Sequence, residues 1–308
     1  MPIPALSPAP STLQPLRGLR VLSLALNVPG PVALLRLRAM GAVCIKAEPP
    51  PPKIAAPGVS GDPMSQYSPG AYTLLQEGLQ VLQLDLKSPA GQAELHGQLA
   101  QADVLLTAFR PSALNKLGLD WGTLHARYPK LSQVAIVGAP GARAEEAGHD
   151  LTYQADSGMI QGLNLPSSLF ADMGGSLLAT EAVLKAVLVQ RLDPAGLGVY
   201  QEVALSDAAA WLAMPCSWEL TQPDGWVGGA HAGYAVYPCL DGRVALAALE
   251  PHFAQRLCAE LGLPMTDFQI MFQPATRSAI AEFLGRHTRA QLDQLAQDKD
   301  IPLHTLTP

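Results

Sequence analysis

Residues 18–48 read GLRVLSLALNVPGPVALLRLRAMGAVCIKAE, and they hold the unit that decides the fold. Gly18–Leu24 is a short apolar run that ends in a turn, which predicts a buried strand. Asn27, Pro29, Gly30 and Pro31 form the turn, and VALLRLRAMG then predicts a helix that stops at Gly41. Ala42–Glu48 is the second strand. Strand, helix and strand in this order predict a parallel sheet with a right-handed crossover, and so an α/β fold. The first turn lacks G-x-G-x-x-G and the chain has no Walker phosphate loop, so neither a dinucleotide nor ATP is expected.

The pattern continues downstream. Residues 49–70 are a long Pro- and Gly-rich loop, of a length often functional. Leu79–Leu86 is a strand, with Ser88 and Pro89 as cap and first turn of the next helix. Asp103–Ala108 is another strand, and Phe109-Arg110-Pro111 lies at its C-terminal end, where open parallel sheets hold their ligand crevice. Arg110 there suits a phosphate, although an ordinary surface arginine fits the spacing as well. Leu131–Gly138 is a further strand and leads through GAPGARAEEA to His149. Asp150–Met159 is expected to be helical. Met173–Arg191 predicts a long, mostly apolar helix with Asp172 at its N-cap. Val199–Leu205 returns to strand, and Ser206 caps a helix carrying Trp211. After Gln222 the character changes. Tyr234–Tyr237 and Val244–Ala248 predict a hairpin around Asp241-Gly242. Helices are expected from Glu250-Pro251 onward and over residues 277–286 and 289–298. The expected organisation is a flexible Pro-rich lead-in over 1–17, a large domain over 18–222 and a small α+β domain over 223–308.

Composition bounds the function. The chain has 308 residues, 48% hydrophobic and 15% charged, enough apolar material for two cores. No apolar run reaches the roughly 18 residues of a membrane span, and the N-terminus lacks a secretory signal pattern. A net charge of −6 disfavours a nucleic-acid partner. The four cysteines show no C-x-x-C spacing, so reduced thiols in the cytoplasm are expected.

The reactive residues gather in AGHDLTYQADSGMIQGLNLPSSLFADMGG, residues 147–175. His149 and Asp172 offer an imidazole and a carboxylate, which brought together can take a proton from carbon and return it. Each has a plainer reading: Asp172 as an N-cap, His149 as a loop residue, Tyr153 as packing, and Glu250 before Pro251 as a helix start.

The order of several motifs carries a resemblance. LRGLRVLSL with GPVALLRLRAMGAVCIKAEPP, then LDLKSPAG, ADVLLTAFRPSALNKLGLD, AGHDLTYQADSG, FADMGG and GGAHAGYAVYPCLDGRVALAALEPHF resemble the family III CoA-transferases (the CaiB/BaiF-like superfamily). Within them the chain is most similar to the alpha-methylacyl-CoA racemase group. The resemblance implies a Rossmann-like large domain, a smaller α+β domain and an interlocked homodimer. It implies acyl-CoA thioester substrates, with no metal and no cofactor beyond the CoA of the substrate. It assigns His149 as base for one enantiomer and Asp172 for the other. Asp150 would orient His149, and Glu250 in LEPHF would reach the histidine of the partner protomer. Arg110, Lys46 and Tyr153 would contact the CoA thioester, and Gly174 and Gly175 would let it approach the backbone.

Two alternatives stand beside racemisation. In a CoA-transferase the aspartate is the nucleophile, and the histidine position often holds another residue. A non-catalytic acyl-CoA binder is the third reading, because the chain departs from the family pattern. LLQEGLQVLQLDLK lacks the basic residues that usually precede the LDLK strand, leaving Arg110, Lys46 and Lys53 to hold phosphate. Glu145 and Glu146 stand close to His149. The chain reaches Pro308 without the segment by which relatives return to the large domain, so that segment is expected to be missing or very short.

Overall fold

The computed structural model describes residues 13–308 except Ala55, Pro57 and Thr266; residues 1–12 of the expected lead-in lie outside. Contacts divide the chain into two compact units, Met1–Ala213 and Met214–Pro308.

The first unit runs β1 (Arg20–Ser23), α1 (Pro29–Ala39), β2 (Val43–Glu48), α2 (Met64–Tyr67), α3 (Pro69–Gln76), β3 (Gln80–Gln83), α4 (Pro89–Leu99), β4 (Val104–Thr107), α5 (Pro111–Leu117), α6 (Trp121–Arg127), β5 (Ser132–Val137), α7 (Asp150–Asp156), α8 (Phe170–Leu192), β6 (Tyr200–Ala204) and α9 (Leu205–Leu212). The strands form one sheet in the order β3-β2-β1-β4-β5-β6, and each neighbouring pair is parallel. Strand order reverses between β1 and β4, and a crevice is expected beyond the carboxyl ends of those strands.

The central strands are buried on both faces, so their sequences read as continuous apolar runs rather than alternations. Side-chain alternation still sorts them. Val21, Val104, Leu106, Val134 and Ile136 pack with α1 and α8. Leu22, Ile45, Leu105, Leu95 and Leu124 pack on the opposite face. Each fully buried Leu, Val or Ile contributes about 1.5–3 kcal/mol relative to exposure. Cys44 belongs to this core, and burial pushes its thiol up to about 12, which leaves it inert.

The segment expected to be one loop over 49–70 contains α2 and the start of α3. Its prolines start helices rather than break them: Pro63 stands at the N-cap of α2 and Pro69 in the first turn of α3. Ser88 does cap α4, accepting from Gly91 N–H at 3.0 Å. Ser206 does not cap α9. Ala204 holds that place, and Ser206 N–H donates to the Gly138 carbonyl at 2.9 Å.

Gly198, just before β6, lies against the backbone of Leu131. A Cβ there would stand 2.1 Å from the Leu131 carbonyl oxygen. Gly198→Ala is expected to destabilise the protein by about 1–3 kcal/mol, read as a lower urea midpoint with an unchanged m-value.

The second unit comprises α10 (Met214–Ser217), β7 (Tyr234–Cys239), β8 (Gly242–Ala247), α11 (Pro251–Glu260), α12 (Pro274–Gly285), α13 (Arg289–Lys299) and β9 (Leu303–Leu306). β7 and β8 form the expected hairpin, and β9 adds an antiparallel third strand beside β8. Leu246, Leu257, Ile280, Leu284 and Leu292 form its core.

Candidate active site

The first unit carries a cleft of about 670 Å³ at the carboxyl ends of its strands. Residues 26–29 after β1, 108–110 after β4 and 136–138 at the end of β5 line it, together with His149, Asp150, Tyr153 and Asp172. The cleft therefore sits at the reversal of strand order, where the topology places it. Arg110, His149, Asp150, Tyr153 and Asp172, all singled out from sequence, meet there.

His149 is the exposed N-cap residue of α7. Its backbone N–H donates to Thr152 Oγ1 at 3.0 Å, and that hydroxyl donates back to the His149 carbonyl at 2.7 Å. The turn that presents the imidazole is thereby fixed.

Asp172 lies on the first turn of α8, whose N-cap is Leu169, so it is not the cap expected from sequence. The role of capping falls to Asp150. Its Oδ1 accepts the Asp172 backbone N–H at 3.0 Å, and its Oδ2 accepts from Gln154 Nε2. Asp150 is buried. Its carboxylate joins the starts of α7 and α8. Gln154 also reaches the Ser168 carbonyl at 3.3 Å, tying down the loop ahead of α8. These contacts join residues 14 to 22 positions apart, and no local pattern signals them.

Burial pushes the Asp172 carboxyl up to about 6, helped by the Asp150 charge and opposed by His149. The first-turn position favours the anion, but desolvation wins. The carboxyl is thereby brought close to the ordinary imidazole range of about 6.5.

Tyr153 is half-buried, its phenol raised first by burial and then by the Asp172 charge. Its hydroxyl lies against two glycines. A Cβ at Gly138 would stand 2.2 Å from it, and one at Gly148 would stand 2.4 Å away. The plain packing role and the cleft position are both realised.

Four expected binding residues, Lys46, Gly174, Gly175 and Lys53, are placed elsewhere. Lys46 is fully buried, with Nζ 2.5 Å from Asp62 Oδ2 and 3.1 Å from Glu48 Oε2. Its charge is spent inside the protein and is not offered to a phosphate. Gly174 and Gly175 face α9. A Cβ on Gly174 would stand 3.0 Å from Leu212 Cδ1, and one on Gly175 would stand 2.3 Å from Leu205 Cδ2. Their missing side chains allow two helices to pack, not a thioester to approach. Lys53 is exposed and outside the cleft lining. Glu250, in the second unit, is the exposed N-cap residue of α11.

Among the described lining residues, Arg110 is the only lysine or arginine, and Glu146 lies in the same lining. Glu145 turns away to α5: its Oε1 accepts Ser112 N–H at 2.6 Å and its Oε2 accepts the Ser112 hydroxyl at 2.8 Å. Those bonds hold its carboxyl below the usual range. Among the described residues no His, Cys, Asp and Glu cluster could hold a metal ion. Sequence reasoning missed Asn27, Pro63 and Tyr67 in the lining. The available signals were the length of the 49–70 segment for Pro63 and Tyr67 and the place just past β1 for Asn27.

Residues 16–307 match the sequence profile of CoA-transferase family III. The chain is 28% identical over 305 residues to the alpha-methylacyl-CoA racemase of Mus musculus, covering 92% of this chain and 76% of the relative. It is 30% identical over 274 residues to the succinate–glutarate CoA-transferase of Agrobacterium fabrum, covering 82% and 68%. A crystal structure of a hypothetical protein from Mycobacterium tuberculosis superposes with a TM-score of 0.77 at 25% identity, covering 96% of this chain and 86% of that one.

Proposed function

The chain belongs to CoA-transferase family III, a family of racemases and CoA-transferases, and on that premise we propose that it racemises 2-methylacyl-CoA thioesters by proton transfer between His149, Asp172 and the branched carbon. The observation that carries this reading is the pairing of His149 and Asp172 in one cleft, with the Asp172 carboxyl pushed up to about 6. The thioester carbonyl acidifies the C–H beside it. One group takes that proton, an enolate forms, and the other group delivers a proton to the opposite face. Each group must be able to end the cycle in either protonation state. A carboxyl raised toward the imidazole range meets this need better than one at the ordinary aspartate value of about 3.9. Arg110, at the cleft edge, is the group we assign to a CoA phosphate. The same reading includes a homodimer in which Glu250 of one protomer reaches His149 of the other.

The test is incubation with a 2-methylacyl-CoA in heavy water. Deuterium is expected at the branched carbon, with loss of optical purity. Proven binding of the thioester with no exchange would sink the racemase reading.

The 30% identity to a CoA-transferase, against 28% to a racemase, supports a second reading. There an Asp172 oxygen attacks the thioester carbonyl and expels CoA thiolate, leaving a mixed anhydride. The thiolate then attacks the Asp172 carbonyl, releasing the first acid and leaving an aspartyl-CoA thioester that passes CoA to a second acid. CoA transfer to a free carboxylic acid that survives His149→Ala but not Asp172→Asn is its signature.

A further inference from the structure

The part of the cleft lined by Asn27, Pro63 and Tyr67 has no role in the proton transfer just described. Asn27 follows β1 at the point where strand order reverses. Its φ is +60°, a left-handed conformation uncommon outside glycine but one that asparagine adopts more readily than most residues. Asp62 holds this turn. Its Oδ1 accepts both Asn27 N–H at 3.2 Å and Met64 N–H at 3.0 Å, and its Oδ2 meets Lys46 Nζ at 2.5 Å. Lys46 is held in turn by Glu48, whose Oε1 accepts from the Tyr72 hydroxyl at 3.0 Å. A fully buried ion network is costly to desolvate and is weak evidence for stability alone. What this one does is fix the turn after β1 and the start of α2 in one geometry.

The two anchored segments then meet at the cleft. The Tyr67 hydroxyl donates to Asn27 Oδ1 at 3.2 Å. That bond fixes the carboxamide by its oxygen and leaves Nδ2, which carries two N–H donors, for another acceptor. Asn27, Pro63 and Tyr67 all line the cleft, and Tyr67 lies near enough to Asp172 to feel its charge.

We propose that the Asn27 carboxamide contacts the substrate, aimed by the positioning residue Tyr67, and that its Nδ2–H donates to the thioester carbonyl oxygen. This rests on the reading of the cleft as an acyl-CoA site. As the branched carbon loses its proton, negative charge gathers on that oxygen. A preset N–H bond then strengthens on the way to the enolate.

Asn27→Gly tests this, because glycine keeps the left-handed backbone at no steric cost while removing the carboxamide. With 2-methylbutanoyl-CoA in heavy water, kcat for exchange is expected to fall on the order of 10²-fold, with KM moving much less. Tyr67→Phe is expected to lower kcat by about tenfold, and the double variant to be no slower than Asn27→Gly alone, since both remove one aimed donor. A kcat within threefold of wild type for Asn27→Gly, or multiplying effects in the double variant, overturns the proposal. If the wild type itself shows no exchange, the racemase reading fails, and the contact is read by calorimetry with the same thioester. A roughly tenfold weaker Kd for Asn27→Gly (about 1.4 kcal/mol) then sustains it, and an unchanged Kd overturns it.

Discussion

Asp172→Asn is expected to cripple racemisation and at the same time make the protein more stable at neutral pH. Loss of an acid–base group of this kind costs about 10²–10⁴ in rate, and the transferase reading loses its nucleophile outright. The stability gain follows from the raised carboxyl. Its pKa is about 6 in the folded chain against the ordinary 3.8, so the folded state holds this proton more tightly than the unfolded state. That favourable contribution is complete below about pH 4 and disappears as pH rises through about 6. Above that range the wild type carries a half-buried anion beside the Asp150 charge, and the Asn variant does not. A shift of about two units corresponds to roughly 3 kcal/mol, and partial solvent access reduces the expected gain to about 1–2 kcal/mol. Thermal melts from pH 4 to pH 8 check this. The two proteins should coincide at the acid end and separate between pH 4 and 6, with the variant melting higher. A variant that melts lower at pH 8 would remove the case for a desolvated carboxylate. For the enantiomer deprotonated by Asp172, kcat/KM in the wild type should rise through the same interval.

The parts of this site differ in how openly the sequence declares them, and the difference is one of range. The sheet was legible because β1, β4 and β5 are buried, mostly apolar runs that lead through a turn or loop to a helix; Gly18–Glu48 shows a whole strand–helix–strand unit in 31 residues. The cleft followed from topology, since residues just past β1, β4 and β5 converge where strand order reverses. Segments rich in proline were misread as loop because Pro63 and Pro69 start α2 and α3. β9 went unseen because it is four residues long and only half-buried. Lys46 was assigned to a ligand because the stretch before LDLK lacks the usual basic residues and few others remained to hold phosphate. Its i, i+2 relation to Glu48 put both on one face of β2, but Asp62, which completes the ion network, comes from a separate segment. Asp150 shows the same limit: its neighbour in sequence is His149, while its carboxylate also accepts from the Asp172 backbone 22 residues on, which no local pattern signals. Gly174 and Gly175 looked like room for a thioester, and only the packed α9 shows whose room it is.

His149→Gln provides the complementary test, because a two-base mechanism makes its effect one-sided. Glutamine preserves polarity but cannot exchange a proton in the range where imidazole does. Racemisation needs both groups, so interconversion of the enantiomers is expected to fall by about 10²–10⁴. Exchange does not need both. Asp172 can still remove the proton from the face it serves. Once its carboxyl has swapped that proton for deuterium from solvent, it can return the label to the same face. The variant should therefore label one enantiomer of a 2-methylacyl-CoA with retention and leave the other unlabelled. Asp172→Asn should show the reverse preference, labelling only the enantiomer served by His149. Chiral separation followed by mass measurement distinguishes the outcomes. Equal loss of labelling for both enantiomers in both variants would argue against separate bases and for one group assisting the other. Undiminished racemisation in His149→Gln would remove the histidine from the chemistry, leaving Asp172 as a single base that removes and returns the proton.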